Sequence, residues 1–208
     1  MLQHRTGHFS NRIMKRILTL LIVFSLIGFE PTAGQNWLGR DRPVYQKLLY
    51  GSLESLGIQA ASTGILLLSP TDFSGWHGKP LNSWGANLKR AYSSPPVWDQ
   101  DHWVINYLGH PYMGAWYYNS VRSQGCSLLT SAGMCIGQTI MWEYFLEAGF
   151  EQPSIKDLIV TPLAGIVIGE AIHRLTLHLR KGGYTPWEKV LIIAINPLFV
   201  INNGLKNK

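Results

Sequence analysis

The 208-residue chain is 46% hydrophobic and only 14% charged, carries a formal net charge of +6, and holds eight tryptophans and nine tyrosines. The length suits one domain with a real core, and few charges among many amphipathic aromatics point to contact with a membrane or another apolar surface. Residues 1–34 hold half of the net positive charge, through Arg5, Arg12, Lys15 and Arg16 against Glu30; the remainder is too weakly basic to imply a nucleic-acid partner, and no basic stripe interleaves with aromatics.

In chain order, the first recognisable element is an export signal. Lys15 and Arg16 form a basic start, Ile17 to Phe29 an apolar run, and Thr32-Ala33-Gly34 a small-residue end. That is the pattern of a cleavable signal peptide, too short for a comfortable membrane span. Residues 1–13 read as an upstream start-site extension, and no Cys follows the apolar run to take a lipid. A single helical domain is expected over 35–208.

A first helix is expected over Val44–Leu68, stopped by Ser69-Pro70. Residues 71–100 are rich in Gly, Pro, Ser and Trp and read as a long loop with one short helix at Ala86–Tyr92. Trp76, Trp84 and Trp98 would pin that loop to the body or to a membrane. The second helix runs from Asp101 to Ser123, with Asp99 as N-cap and Gly125 just past its end. The third covers Ser127–Ala148, the fourth Ile155–Arg180 and the fifth Trp187–Ile201. Strand-like alternation is nowhere sustained, so the expected fold is all-α, a compact bundle of about five helices. Pro111, Pro162 and Pro197 should kink it, freeing the carbonyls of Tyr107, Leu158 and Ile193. The uncharged runs at 126–142, 158–169 and 190–201 all fall short of the roughly 20 residues a span needs, which favours a domain leaning on a bilayer. Cys126 and Cys135 lie nine residues apart, on opposite faces of one helix, and should not bridge.

Two tight turns set a register. A turn at Gln124-Gly125 makes the second and third helices antiparallel and places His102 level with Glu147, Asn106 with Glu143, and His110 with Thr139. His102, Asn106 and His110 follow i, i+4, i+8 spacing and share a face with Gly114 and Tyr117; Glu143 and Glu147 share another. If the faces meet, histidines and carboxylates converge, either as an acid–base pair, His110 with Glu143, or as a buried network that fixes the helix register. Asn106 and Glu170 complete the candidate catalytic set, and Tyr117, Trp142, Glu147 and His102 the candidate binding positions. The next turn, near Glu151-Gln152, sets Gly133 and Gly137 against Gly165 and Gly169 as a close helix crossing, Glu170 near Trp116 and Tyr117, and Glu147 near Lys156.

Other motifs have plain structural readings. Ser154-Ile-Lys-Asp157 is a capping box, and Arg122 suits the negative end of its helix dipole. Glu170-Ala-Ile-His173 has the spacing of a di-iron motif but stands alone, so no metal set is expected, and His173 and His178 are placed at exposed or terminal positions. No P-loop, dinucleotide fingerprint, nucleophile elbow or zinc spacing is present, so no cofactor is expected.

The segments "NSWGANLKRA", "PPVWDQDHWVINYLGHPYMGAWYY", "WEYFLE" and "PSIKDLIVTPLAGIVIGE" together resemble a bacterial envelope family, domain of unknown function 3943. The resemblance implies an exported bacterial protein with Asn106, His110, Glu143 and Glu170 as motif positions, and carries no known activity. The expected role is a periplasmic helical module of the cell envelope that associates with a membrane surface or an envelope partner. The alternative is an envelope hydrolase, lipid-directed, that uses His110 and Glu143 as an acid–base pair.

Overall fold

The computed structural model describes residues 42–74, 76 and 83–205; the expected signal peptide lies outside them. The described chain is helical, and among the described residues the sole β-type pairing is an isolated parallel bridge between Val97 and Ser154. The all-α expectation holds.

Helix α1 spans Val44–Leu68, the bounds expected from sequence, with Pro43 extended before it and Ser69 extended after it. A short α2 (Thr71–Ser74) and α3 (Trp84–Ser93) follow. Trp76 stacks on Phe150 at 4.1 Å and Trp84 meets the same ring edge-on at 5.1 Å, so two of the three tryptophans pin this segment as expected. Trp98 is 61% exposed. The loop at 95–100 is tied to a later helix start, because Val97 N–H donates to the Pro153 carbonyl (2.9 Å) and Ile155 N–H to that of Val97 (2.8 Å).

The second expected helix divides into a π-helical turn, Ile105–Gly109, and α4, His110–Arg122. Pro111 has no N–H with which to close an α-turn, and the backbone widens just before it. Helix α5 covers Leu128–Met141, with the Ser127 hydroxyl accepting from Thr130 N–H. A second π-helical turn, Trp142–Leu146, and a 3₁₀ turn, Glu147–Gly149, complete the third expected helix. Helix α6, Ile155–Gly182, passes through Pro162 unbroken and ends at Gly183, whose φ of 80° suits glycine. The expected fifth helix is two, α7 (Pro186–Ile195) and α8 (Pro197–Asn203). Pro197 cannot continue the ladder, and the Asn196 side chain caps the new helix at Phe199 N–H.

The principal packing joins α4 to α6, which run parallel with partners about 51 positions apart. Gly114 and Gly165 form the crossing. A Cβ on Gly114 would lie 2.2 Å from the Thr161 carbonyl oxygen, and one on Gly165 2.5 Å from the Gly114 backbone. The crossing expected through Gly133 and Gly137 is overturned, because open space surrounds both; that face of α5 points outward. Gly169 instead receives the Tyr118 ring.

Polarity is distributed in reverse of a water-facing bundle. Helix α1 turns Lys47, Gly51, Ser55 and Gln59 inward at four-residue spacing, and Gln59 donates to the Gln138 carbonyl across the α1–α5 seam (3.1 Å). Its outward side shows Leu49, Leu53, Leu56, Ile65 and Leu68, the last 90% exposed.

Gly165→Ala should lower stability by about 2 kcal/mol or more, since overpacking against backbone allows little relief. Gly133→Ala should leave stability unchanged or raised by up to about 1 kcal/mol through helix propensity. Chemical denaturation of the two variants side by side checks both.

Candidate functional site

At the N-terminal end of the α4–α6 pair, four segments converge. The start of α4, just past the first π turn, delivers His110, the second π turn delivers Glu143, α6 supplies Asp157 and Thr161, and the 95–101 loop supplies Asp99. The His110 Nδ1 and the Thr161 hydroxyl are 3.1 Å apart, and His110 Nε2 lies 3.8 Å from Asp157 Oδ1. One ligating atom each of His110, Glu143 and Asp157 lies within 4.8 Å of the others, and all three residues are buried. The expected convergence of His110 and Glu143 is therefore present, with Asp157 as a third member that the capping-box reading had placed elsewhere.

Local hydrogen bonding explains how Asp157 joins. Ser154 does cap α6, its hydroxyl accepting from Asp157 N–H (3.0 Å). The reciprocal bond, from Ser154 N–H, goes to Glu143 Oε2 (2.8 Å). Glu143 takes the position that the box acid usually fills, and the Asp157 carboxylate turns toward His110.

Burial dominates the electrostatics. It pushes the Asp157 carboxyl up to about 7, against the Ser154 hydroxyl and with the charges of Asp99 and Asp101 adding to the rise. It also holds Glu143 well above the carboxylate range, opposed by the Ser154 N–H, and raises Glu147 likewise, with Glu143 adding to the effect. His110 is lowered to about 4 by burial, although the Asp99 charge works the other way. Asp99 differs. Burial alone would raise it, but the Ser154 hydroxyl, Lys156 and Asn106 outweigh that and hold it low. Lys156 Nζ sits 3.0 Å from Asp99 Oδ1.

A cavity of about 240 Å³ opens onto this cluster, walled by Leu66, Met113, Tyr117 and Trp142 as well as His110 and Thr161. Ser62, Tyr112 and Thr139 join an otherwise apolar lining, and neither Glu143 nor Asp157 is part of the wall. Neutral imidazole at the foot of an apolar chamber, backed by protonatable acids, can exchange a proton with a bound group.

The other expected residues divide. Tyr117 and Trp142 line the cavity. Asn106 is buried but donates to Asp99 Oδ1 (2.8 Å) rather than meeting Glu143. His102 is exposed, with its Nδ1 accepting from Val104 N–H, and it does not meet Glu147. Glu147 is buried, grouped with Asp101 and Glu151, while Lys156, its expected neighbour, serves Asp99.

Glu170 belongs to a second cluster, about a turn and a half beyond the crossing. It accepts from the Tyr118 hydroxyl (2.6 Å), Arg122 Nε (2.9 Å) and Arg174 Nε (3.0 Å), so it meets Tyr118 rather than Trp116 and Tyr117. Arg122 stands in the last turn of its helix, as expected; it is buried, and also donates to the Cys126 carbonyl (2.9 Å). His173, expected at the surface, is fully buried, and neither ring nitrogen has a hydrogen-bond partner. Both cysteines are buried and free. Asp99, Asp157 and Thr161 belong to the His110 cluster and Arg122 to the Glu170 cluster, and the sequence reading placed none of them there. Two successive antiparallel turns make α4 and α6 parallel and set Thr161 within a turn of the level of His110, which is the signal the sequence carried for it.

The family described as Domain of unknown function (DUF3943) matches over residues 95–198, which takes in the whole His110 cluster and Glu170 and leaves out α1. No curated protein matches the chain, and no solved structure does.

His173 carries a pH consequence. Burial, with Arg122 adding to it, lowers its pKa from 6.5 to about 3. Between those values the unfolded chain binds a proton that the folded chain does not, so this residue's share of stability is complete above about 6.5 and is lost as pH falls toward 3. His173→Leu should flatten that limb of stability against pH, measured by denaturant unfolding at stepped pH.

Proposed function

The chain belongs to the DUF3943 family, and we propose that it acts as a helical module of the bacterial cell envelope that rests its apolar flanks in a lipid layer. The distribution of charge over the helix surfaces supports this reading. No exposed position of α1 bears a charge; its Lys47 is buried and its Glu54 half-buried. The exposed residues of α5 are Leu129, Gly133, Ile136, Gly137 and Ile140. On α6 the exposed positions before Arg174 are Ile159, Val167, Ile168 and Ala171, and α7 adds Trp187, Val190, Leu191 and Ile193. A water-facing helix shows charges on its outer side. A single protein partner would leave one apolar patch, whereas here the apolar exterior is spread over four helices and encloses a polar interior, as lipid contact favours.

Among the described residues, no helix is long and apolar enough to cross a membrane. The inward polar stripes of α1, α5 and α6 lower the average hydropathy of each, and the reading requires lipid at the flanks, not a span. The basic and apolar start of the chain and its resemblance to exported proteins support placement in the envelope.

The full-length chain, expressed in bacteria, should sediment with membranes, stay there through high salt and alkaline carbonate, and leave in mild detergent. Leu53→Asp combined with Ile136→Asp should shift most of it out of that fraction. Recovery of the unaltered chain as a detergent-free, monodisperse soluble protein would end the reading.

The cavity over His110 supports a second reading, an envelope hydrolase with His110 and Glu143 exchanging the proton. Loss of a cellular phenotype in both His110→Ala and Glu143→Gln, with melting temperatures kept within a few degrees, is the outcome expected of chemistry. A joint loss of phenotype and melting temperature would make the pair a structural network.

A further inference from the structure

Neither reading accounts for the state of two buried carboxylate oxygens. Glu143 Oε1 and Asp157 Oδ1 are both fully shielded from solvent and lack any hydrogen-bond partner. Burying a carboxylate oxygen without a donor costs several kcal/mol unless a proton or a cation compensates. The nearest ammonium does not answer that need, because Lys156 is committed to the carboxylate and the carbonyl of Asp99. What stands beside the two oxygens is an imidazole.

We propose that His110, Glu143 and Asp157 form a binding site for one divalent first-row transition-metal ion. Their ligating atoms lie within 4.8 Å of one another, and side-chain rotation that draws them to about 3.3 Å apart would let one ion with bonds near 2 Å reach all three. The donor set is one nitrogen and two carboxylates. That composition suits zinc, manganese or ferrous iron and disfavours the softer, thiolate-seeking ions. Three protein ligands also leave coordination open for water, as catalytic rather than structural sites do.

The surroundings supply the support such a site needs. The Thr161 hydroxyl holds His110 Nδ1; with Nδ1–H donating to it, Nε2 keeps its lone pair on the side of Asp157, the arrangement by which an outer partner fixes the tautomer of a ligating histidine. Ser154 N–H holds Glu143 Oε2, which leaves Oε1 as the ligating atom. Each ligand rises from a different segment, so the ion would tie the start of α4 and the second π turn to α6. The inference stands apart from the lipid reading, since an ion could occupy this site wherever the bundle resides.

The experiment uses the full chain, purified, stripped with a chelator and dialysed against zinc chloride or manganese chloride. Elemental analysis and calorimetry should give one ion per chain with micromolar or tighter affinity, and the bound ion should raise the melting temperature. Asp157→Asn and Glu143→Gln, near-isosteric replacements, should each lower the affinity at least 100-fold, and Thr161→Val about 10-fold or more through the histidine. Glu151→Gln, outside the ligand set, should retain full binding. Should a replacement fail to fold, X-ray absorption of the zinc-loaded unaltered chain decides alone. Nitrogen and oxygen neighbours near 2.0 Å, imidazole among them, support the site, whereas a sulfur neighbour near 2.3 Å would transfer the ion to Cys126 or Cys135 and overturn it. Absence of stoichiometric uptake, or unchanged uptake in Asp157→Asn and Glu143→Gln, overturns it equally.

Discussion

The contact between Gly114 and Gly165 is the constraint on which the remainder of the bundle rests. With no side chain on either residue, the α4 and α6 backbones come within a distance that a single methyl group would forbid. That nearness fixes a parallel register. On one side of the crossing His110 meets Thr161 and Asp157; on the other, Asn119 reaches the Gly169 carbonyl at 3.0 Å and Arg122 reaches Glu170. Both polar clusters are thus consequences of one glycine pair, and a shift of either helix by a residue would disperse them together. The two π turns refine the result. Each widens the backbone just where its cluster residue must point inward, and each coincides with a departure from the ordinary ladder, at Pro111 in one case and ahead of the 3₁₀ turn at Glu147 in the other.

The interior is unusual in what it buries. Serine, glutamine, asparagine, arginine and several acids are shielded, and most are satisfied across helix seams, as with Gln59 on Gln138 and Asn202 on Ser123. Such groups need defined partners, so they specify helix register in a way that interchangeable apolar contacts do not. The tightly hydrogen-bonded Glu170 cluster and the under-satisfied His110 cluster serve different ends. Four segments converge on His110 beside an open chamber, whereas Glu170 joins α4 to α6 with each of its oxygens accepting from a cation.

Much of this was legible in the sequence where local rules act. Ser69-Pro70 stops α1, Ser154 caps α6, and the Gln124-Gly125 turn returns the chain so that His110 and Glu143 meet. What escaped was decided by contacts between non-adjacent helices. Asp157 satisfied a capping pattern, and only the arrival of Glu143 at Ser154 N–H released it toward the histidine. Gly133 and Gly137 had the spacing of a close crossing, yet spacing does not say which side of a helix faces a neighbour. His173 was assigned to an exposed or terminal position because such side chains usually occupy one; here the interior is the polar side. His102 shared a helical stripe with His110 on the assumption of constant α-geometry, and the intervening π turn rotated it away.

Cys135 lies at the hub of this arrangement, its thiol donating to the Gly114 carbonyl at 3.2 Å, and burial pushes that thiol up to about 12. Thiolate, the reactive form, is almost absent there at neutral pH, and α4 shields the sulfur on the side where the glycines touch. Its alkylation therefore has to wait for the helices to part, which makes this one sulfur atom a natural stopwatch for how often the bundle breathes at its narrowest seam.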